Sequence, residues 1–404
     1  MSQLLISKNR ALFISVLLVS HVFVSAATNA APKVFVLDAA RLENAKRRIA
    51  AHDKEVQPAL DKLVADANKA LSVTTYSVIS KKITPPSGDK HDYMSQAPYF
   101  WPDPAKPNGR PYIRRDGERN PEIEKIGDHD AMDRMRTVVE TLALAYYFAA
   151  DEKYATKATQ LLRVFFLNPD TRMNPNLDYA QGIPGINTGR GIGLIETRGL
   201  TSVVDSVGLL SGSKAWTNND QRGMEDWFGK FLQWMLESKN GKDESVSKNN
   251  HGTYYDVQVA SFALFTGKRE LAKQVLMAAR TKRIALQVEP DGRQPLELAR
   301  TKGWSYSIMN LEGLMQLARL SDNVGVDLWN YTTPDGRSIR KALEFLTPYA
   351  FNEKWPYQQL GTWPPQQLYP LIRRAADRFN DPALQQAVTK MGARNVSDRT
   401  ELLN

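Results

Sequence analysis

The sequence predicts an all-α protein in which helical hairpins are arranged in a ring. Apolar residues recur at steps of three and four wherever a pattern is clear, as from Met132 to Tyr146 and from Met224 to Met235. Alternating strand patterns with hairpin turns are nearly absent, which disfavours a β-helix or a jelly roll. No shift in composition marks a domain boundary, so we expect residues 31–404 to form a single large domain.

The first 30 residues have the pattern of a secretory signal peptide. Lys8 and Arg10 precede an apolar run from Ala11 to Val24, and small residues follow that run. The run is too short to span a bilayer comfortably. We therefore expect cleavage after Ala26 or Ala30, export to the periplasm or beyond, and no stable membrane insertion of the mature chain.

Eight further segments have helical periodicity, and two long loops lie between them. The predicted helices are Arg41 to Leu71, Glu152 to Phe166, Ile195 to Leu210, Thr253 to Phe265, Arg269 to Ala285, Ser307 to Leu320, Ser338 to Ala350 and Gln366 to Phe379. The loops, Thr84 to Pro121 and Asn168 to Arg190, are rich in Pro, Gly, Asn and charged residues. Long loops in a compact domain are often functional.

The charge balance favours an acidic polysaccharide as the partner. The chain has 53 Lys and Arg against 44 Asp and Glu, a formal charge of +9, and no cysteine. An exported basic protein attracts polyanions, and without disulfides it must be stabilised by its core. Nucleic acid is not expected, because the basic residues are scattered and form no dense run.

Two polar motifs supply groups that suit β-elimination from a uronic acid polymer. The first is Asn249-Asn250-His251, and the second is Glu297-Leu298-x-Arg300 followed by Tyr306. An amide and a guanidinium can hold and neutralise the sugar carboxylate, which makes Asn250 and Arg300 candidates for that role. His251 and Tyr306 can exchange protons with the C5 carbon and the leaving oxygen.

With the segments Tyr99 to Pro104, Asn174 to Gln181 and Trp304 to Ser307, these motifs resemble the alginate lyase superfamily of polysaccharide lyases. The resemblance is greatest to the family 38 type, which includes alginate and glucuronan lyases, and it extends from about His91 to Trp363. It implies an incomplete (α/α) toroid. The more distant family 5 has Ser-Tyr-Trp after the histidine, where this chain has Gly252-Thr253-Tyr254, so the mannuronate preference of that branch is not carried over.

The stereochemistry of the substrate separates two mechanisms. In mannuronate and glucuronate the C5 hydrogen and the C4 oxygen lie on one face, so Tyr306 can act as base and acid while His251 orients it. Guluronate would require His251 as the base and Tyr306 as the acid. We expect alginate with mannuronate-type linkages as the substrate, with glucuronan as the alternative.

Further residues are predicted to bind the substrate. Arg190 and Arg198 are candidates for neighbouring uronates, although a Glu196–Arg198 ion pair is equally compatible with the sequence. Tyr99 and Trp101 are candidates for stacking on sugar rings, with loop packing as the alternative. The set is completed by residues in or beside the motifs: Asn249, Tyr254 and Trp304. Asn249 or Asn250 is also suited to capping the helix that follows.

Two other classes of protein remain possible at this stage. A glycoside hydrolase needs two carboxylates beside one bond, and the candidates are Asp128 with Asp130 or Glu297. A glycan-binding protein without activity would explain the charge and the aromatic loops, but not the grouping of His251 with Tyr306. No metal or other cofactor is expected, because metal-binding histidine spacings are absent from the sequence. The sequence predicts no particular oligomeric state.

Overall fold

The computed structural model describes residues 31–351, 353–392 and 399–403. The predicted signal peptide lies outside these ranges. The helices are α1 Ala39–Ala50, α2 Gln57–Ala70, α3 Asp128–Ala149, α4 Glu152–Leu162, α5 Leu200–Leu209, α6 Asn218–Glu237, α7 Lys239–Ser245, α8 Asn250–Phe265, α9 Arg269–Ala279, α10 Pro295–Leu298, α11 Gly303–Asp322, α12 Ile339–Leu346, α13 Tyr369–Phe379, α14 Pro382–Gly392 and α15 Thr400–Leu403. The strands are β1 Met94–Gln96, β2 Phe100–Trp101, β3 Ile113–Arg114 and β4 Tyr179–Gly182.

Four helices follow one another on the inside of the fold, and the others pack against them. Helix α3 contacts α5, α5 contacts α8, and α8 contacts α11, while α4, α6, α9 and α12 lie against this inner series. Helix α8 is buried along almost its whole length, as expected for a helix covered on all sides. This succession of helical hairpins is an (α/α) toroid, which confirms the predicted fold class.

Aromatic side chains join the inner and outer helices. Phe166 packs edge-on against Trp227 with ring centroids 4.7 Å apart, and Phe228 lies 4.8 Å from Phe262. These rings come from the end of the α4 hairpin, from α6 and from α8. Their contacts hold these three elements in register, because buried aromatic pairs add specific geometry to the burial of area.

The predicted helix from Arg41 to Leu71 is two helices. Helix α1 ends at Ala50, and His52 has a left-handed backbone with φ of 55°. Pro58 occupies the first turn of α2, a position where a missing N–H group costs nothing. The left-handed backbone at His52 ends the first helix, and α2 begins only after the turn that follows.

The two predicted loops meet at one end of the helices through short strands. Strand β1 pairs in parallel with β4, and β2 pairs antiparallel with β3. Strands β1 to β3 belong to the loop from Thr84 to Pro121, and β4 belongs to the loop from Asn168 to Arg190. Among the helices of the described residues, none is long and apolar enough to cross a membrane.

Candidate active site

A cleft of about 930 Å³ lies between the two loops and the start of α8. The predicted residues that line it are Tyr99, Arg190, Arg198, Asn249, Asn250, His251, Arg300 and Tyr306. Its other basic residues are Arg114, Arg119, Arg134 and Lys248. The structure therefore brings all four predicted catalytic residues into one basic cleft, although they come from segments about 50 residues apart.

Asn249 caps the helix that carries the next two site residues. Its side-chain oxygen accepts a hydrogen bond from the backbone N–H of His251 at 3.3 Å. The turn before it is tightly packed, because a Cβ on Gly252 would lie 2.0 Å from the Ser247 carbonyl oxygen. Only glycine fits there, so Gly252 permits the close approach of the turn that presents Asn250 and His251.

Asn250 is fully buried and is bound at two points by a buried glutamate. Its backbone N–H and its Nδ2 donate to the two carboxylate oxygens of Glu297, each at 2.7 Å. Its side-chain oxygen Oδ1 has no hydrogen-bond partner among the described residues. Burial raises the pKa of Glu297, against the opposing effect of the two Asn250 donors.

His251 is oriented by a second buried glutamate. Its Nδ1 lies 2.7 Å from Oε1 of Glu244, whose side chain is 2% exposed. Ser247 donates to the other carboxylate oxygen at 3.2 Å. Because Nδ1 faces Glu244, Nε2 is the ring nitrogen available to the cleft.

Tyr306 is the centre of a second group of polar contacts. Its hydroxyl lies 2.7 Å from the hydroxyl of Tyr99, and the Arg300 guanidinium lies 4.1 Å from its ring centroid. Burial, with the hydrogen bond to Tyr99, raises the pKa of Tyr306, while Arg300 acts in the opposite direction without prevailing. Tyr306 is therefore a neutral phenol near neutral pH.

Arg300 is itself held by a carboxylate. Its Nε and Nη2 donate to Asp116 at 3.0 and 2.8 Å in a bidentate pair. Burial disfavours the charged form of each side chain. Their pairing nevertheless raises the pKa of Arg300 and holds the pKa of Asp116 well below its usual range. Asp116 thus fixes the guanidinium over the ring of Tyr306 and offsets part of its charge.

The two other predicted arginines line the cleft without an ion pair to Glu196. Arg190 donates to Gln181 at 2.9 Å and lies over the Phe100 ring. Burial lowers the pKa of Arg190, which means that its charge is poorly solvated and suited to an incoming anion. Arg198 donates to the Ile195 carbonyl at 3.1 Å, and Glu196 accepts instead from Tyr93 and Ser95.

Three residues predicted to bind substrate do not line the cleft. Trp304 is fully buried, with its ring against Trp355, and Tyr254 is buried with its hydroxyl near Glu312. Trp101 donates its indole N–H to the Glu118 carbonyl at 3.0 Å, as the loop-packing alternative requires. For Trp304 and Tyr254 the prediction is corrected, because the hydrophobic effect places both rings in the core.

Two of the carboxylates considered for a glycoside hydrolase, Asp128 and Glu297, are buried and held by other groups. Asp128 is buried and lies 2.9 Å from Lys81, and its pKa is raised to about 6 by burial against the opposing effect of Lys81. Glu297 is buried beneath Asn250. Within the described ranges, no group of three or more His, Asp or Glu side chains is placed to hold a metal ion.

Sequence reasoning missed the carboxylates that orient the functional side chains. Asp116, Glu244 and Glu297 were not predicted in that role, although Glu297 lies in the second motif. Glu244 precedes His251 by seven residues, on a short polar helix with weak periodicity. A glutamate that precedes a histidine by this distance can be identified as its partner only when the conformation of the turn between them is known.

A helical toroid with a basic cleft that holds an amide, an imidazole, a guanidinium and a phenol is the architecture of a polysaccharide lyase. The groups can neutralise a uronate carboxylate and move a proton beside it, which is what elimination requires. The chain belongs to the alginate lyase family, whose sequence pattern matches residues 77–355. The enzyme is therefore a polysaccharide lyase.

Solved structures agree with this assignment. An alginate lyase from Bacteroides ovatus is 42% identical, with a TM-score of 0.89 over 92% of this chain and 99% of that one. Alginate lyase A1-III from Sphingomonas species A1 is 17% identical, with a TM-score of 0.54 over 88% of this chain and 92% of that one, and it supports the fold alone. No curated protein sequence matches this chain.

Proposed function

We propose that this enzyme cleaves alginate at mannuronate-type linkages by β-elimination and leaves 4,5-unsaturated uronate ends. The observation that carries the proposal is the contact of Tyr306 with Tyr99 and Arg300 in the same cleft as Asn250 and His251. The 42% identical Bacteroides ovatus protein is described as an alginate lyase. A variant of the A1-III enzyme has been solved in complex with a tetrasaccharide.

In the proposed reaction Tyr306 serves as both base and acid. Its phenolate removes the C5 proton, and the charge that develops on the sugar carboxylate is stabilised by Asn250 and Arg300. The C4–O bond then breaks, and the phenol returns the same proton to the leaving oxygen. The same proton is removed and returned, so no second proton carrier is needed. His251 positions the sugar through Nε2.

The binding part of the proposal uses the basic lining of the cleft. Arg190, Arg198 and Lys248 line the cleft and supply charges for neighbouring uronates. Asn249 lies at the start of α8 beside Asn250. A polyuronate is thus expected to bind across the start of α8, with the reacting sugar at Tyr306.

The test is the ultraviolet absorbance of the new C4–C5 double bond, followed with polymannuronate, polyguluronate, glucuronan and hyaluronan. We expect absorbance to rise with polymannuronate and to be abolished by Tyr306→Phe and by His251→Ala. Tyr331→Phe is the matched control, because it removes a tyrosine hydroxyl outside the cleft. It should leave the rate unchanged.

Each other outcome names a different function. A rise in absorbance with glucuronan alone would identify glucuronan as the substrate, cleaved by the same mechanism. New reducing ends without absorbance would indicate a hydrolase. Binding without any new ends would leave a glycan-binding protein.

We also propose that the chain is exported to the periplasm. The proposal is supported by the basic, apolar and small-residue pattern of residues 1–30. The mass of the protein isolated from the periplasmic fraction tests it. Cleavage after residue 26 or 30 is expected, and a full-length cytoplasmic product would contradict it.

A further inference from the structure

The amide of Asn250 is turned so that Glu297 takes part of its donor capacity. Its Nδ2 donates one of its two N–H groups to Glu297 at 2.7 Å. Its Oδ1 is the group left without a partner, and it is buried in a residue that lines the cleft. This orientation therefore leaves at most one N–H of the amide for a uronate carboxylate, while the unpartnered acceptor oxygen would repel one.

A proton on Glu297 would reverse the orientation. An ionised carboxylate only accepts hydrogen bonds, and it therefore holds both the backbone N–H and Nδ2 of Asn250. A protonated carboxyl keeps one oxygen for the backbone N–H and donates its O–H to Oδ1. The amide then turns over, its buried oxygen gains a partner, and Nδ2 faces the cleft.

The charges around the site favour such a proton when an anion binds. Arg300 is already paired with Asp116, and His251 already faces Glu244. A uronate carboxylate would therefore meet the uncompensated charge of Glu297 beneath Asn250. Two anions at close range raise each other's proton affinity.

We propose that binding of a uronate is coupled to the uptake of one proton from solvent by Glu297, with reversal of the Asn250 amide. This inference rests on the proposed function. Glu297 is 1% exposed, and burial already raises its pKa. The charged groups that act on it from the neighbouring segments are Arg300 and His251, which favour its ionised form. The sugar carboxylate opposes them. Glu297 is thus a positioning residue whose protonation frees both N–H groups of the Asn250 amide for the sugar carboxylate.

The coupling has a defined pH dependence. Below the pKa of Glu297 in the free enzyme, the carboxyl is already protonated and affinity does not change with pH. Above it, each pH unit is expected to weaken binding up to about tenfold, because one proton must be taken up. Glu297→Gln carries an amide donor in place of the protonated carboxyl and should bind with the same affinity at all these pH values.

The experiment is titration calorimetry of the mature Tyr306→Phe enzyme with a mannuronate tetrasaccharide, in buffers of different ionisation enthalpy at mildly alkaline pH. We expect uptake approaching one proton for each ligand bound. Uptake should disappear in Tyr306→Phe/Glu297→Gln, with affinity equal to or higher than that of the parent. The infrared difference spectrum of the parent should gain a protonated carboxyl band on binding.

Three results would overturn the inference. These are binding without proton uptake, uptake that persists in Glu297→Gln but vanishes in His251→Asn, and a loss of affinity above about tenfold in a folded Glu297→Gln protein. The infrared measurement keeps the inference testable if that variant does not fold. Failure of every oligouronate to bind would instead contradict the proposed function.

Discussion

Three functional side chains of the cleft are each held by a carboxylate. The pairs are His251 with Glu244, Asn250 with Glu297, and Arg300 with Asp116. Such partners restrict rotation of the side chains and set which atom each one presents to the substrate. They also cancel positive charge, so the attraction for a polyanion comes from the outer arginines and lysine of the cleft.

Arg300→Lys is predicted to reduce kcat by about 100-fold, with a smaller effect on KM. Lysine cannot make the bidentate pair with Asp116, and its ammonium would not keep the planar stack on Tyr306. Steady-state kinetics on polymannuronate measure the effect. Arg293→Lys is the control, because Arg293 is an exposed arginine paired with Asp291. A variant at position 300 that retains a third of the wild-type kcat would contradict the assigned role.

The activity is predicted to increase with pH across the neutral and mildly alkaline range. Burial and the bond to Tyr99 raise the pKa of Tyr306, so the phenolate is a minor form at neutral pH. Its fraction grows about tenfold for each pH unit below that pKa, and kcat for polymannuronate at saturating substrate should grow with it. A maximum near neutral pH would identify His251 as the base. In Tyr99→Phe the rising limb should move to lower pH, because one cause of the raised pKa is removed.

The sequence predicted which residues meet in the cleft but not which way every side chain points. The order of the motifs resembles that of the alginate lyase superfamily, and this resemblance, rather than the position of either residue alone, selected His251 and Tyr306. Trp304 lies two positions before Tyr306 on α11, and residues two apart on a helix do not share a face. Tyr254 lies one turn deeper than His251 on a helix that is buried. The residue at which each helix begins, and the rotation of the helix about its axis, determine that Trp304 and Tyr254 face the core and not the cleft.

At the scale of elements, the site depends on the turn from Ser245 to Lys248, which joins α7 to α8. Arg283, 2% exposed, donates to the carbonyls of Ser245 and Ser247 and forms a buried pair with Asp256. Burial raises the pKa of Asp256 against the opposing effect of Arg283. The Arg283 guanidinium thus connects three parts of the chain: the π-helical segment Arg280–Ala285 that carries it, the turn from Ser245 to Lys248, and α8.

Arg283→Met is predicted to destabilise the fold by about 3–5 kcal/mol, because it leaves Asp256 buried without its cation and two carbonyls without a donor. Activity should fall as well, since the turn presents His251. Urea unfolding measures the change. Adding Asp256→Asn should recover part of the stability, because the uncompensated charge is then removed. A loss below about 1 kcal/mol would mean that water replaces the guanidinium.

Periodicity predicted the long helices well because each buries a continuous apolar stripe. The segments predicted from Met132 to Tyr146 and from Met224 to Met235 lie within α3 and α6. Helix α7 was not predicted, because its seven residues are nearly all polar and it is fixed largely by tertiary contacts with Gly191–Thr197, α6 and α8. Pairing of β1 with β4 was also not predictable, since it joins two loops about 85 residues apart.

At the scale of the whole molecule, the segment from Lys33 to Asp38 ties separate helices together. Asp205 of α5 accepts the backbone N–H groups of Phe35, Val36 and Leu37 at 2.7, 3.0 and 2.6 Å. Asp38 caps α1 and pairs with Arg319 of α11 at 2.8 Å. The segment thereby links α5 with α11, two of the inner helices of the toroid.

Asp205→Asn is predicted to destabilise the fold by about 3 kcal/mol, because an amide has one acceptor oxygen where the carboxylate has two and its NH₂ group would face buried donors. The free energy of unfolding in urea measures this loss. Asp243→Asn, which changes an exposed aspartate paired with Lys239, should alter stability by less than about 0.5 kcal/mol.

The same variant separates stability from catalysis. None of the residues from Lys33 to Asp38, nor Asp205, lines the cleft, so kcat and KM should remain at wild-type values at temperatures where Asp205→Asn is folded. Deletion of residues 31–37 should reproduce the loss of stability, because it removes all three donors together with the close packing of the Lys33 carbonyl on Gly208. Wild-type stability in both variants would show that the segment is attached without supporting the ring. Reduced kcat in a fully folded Asp205→Asn enzyme would instead mean that the segment holds the inner helices in the register the active site needs.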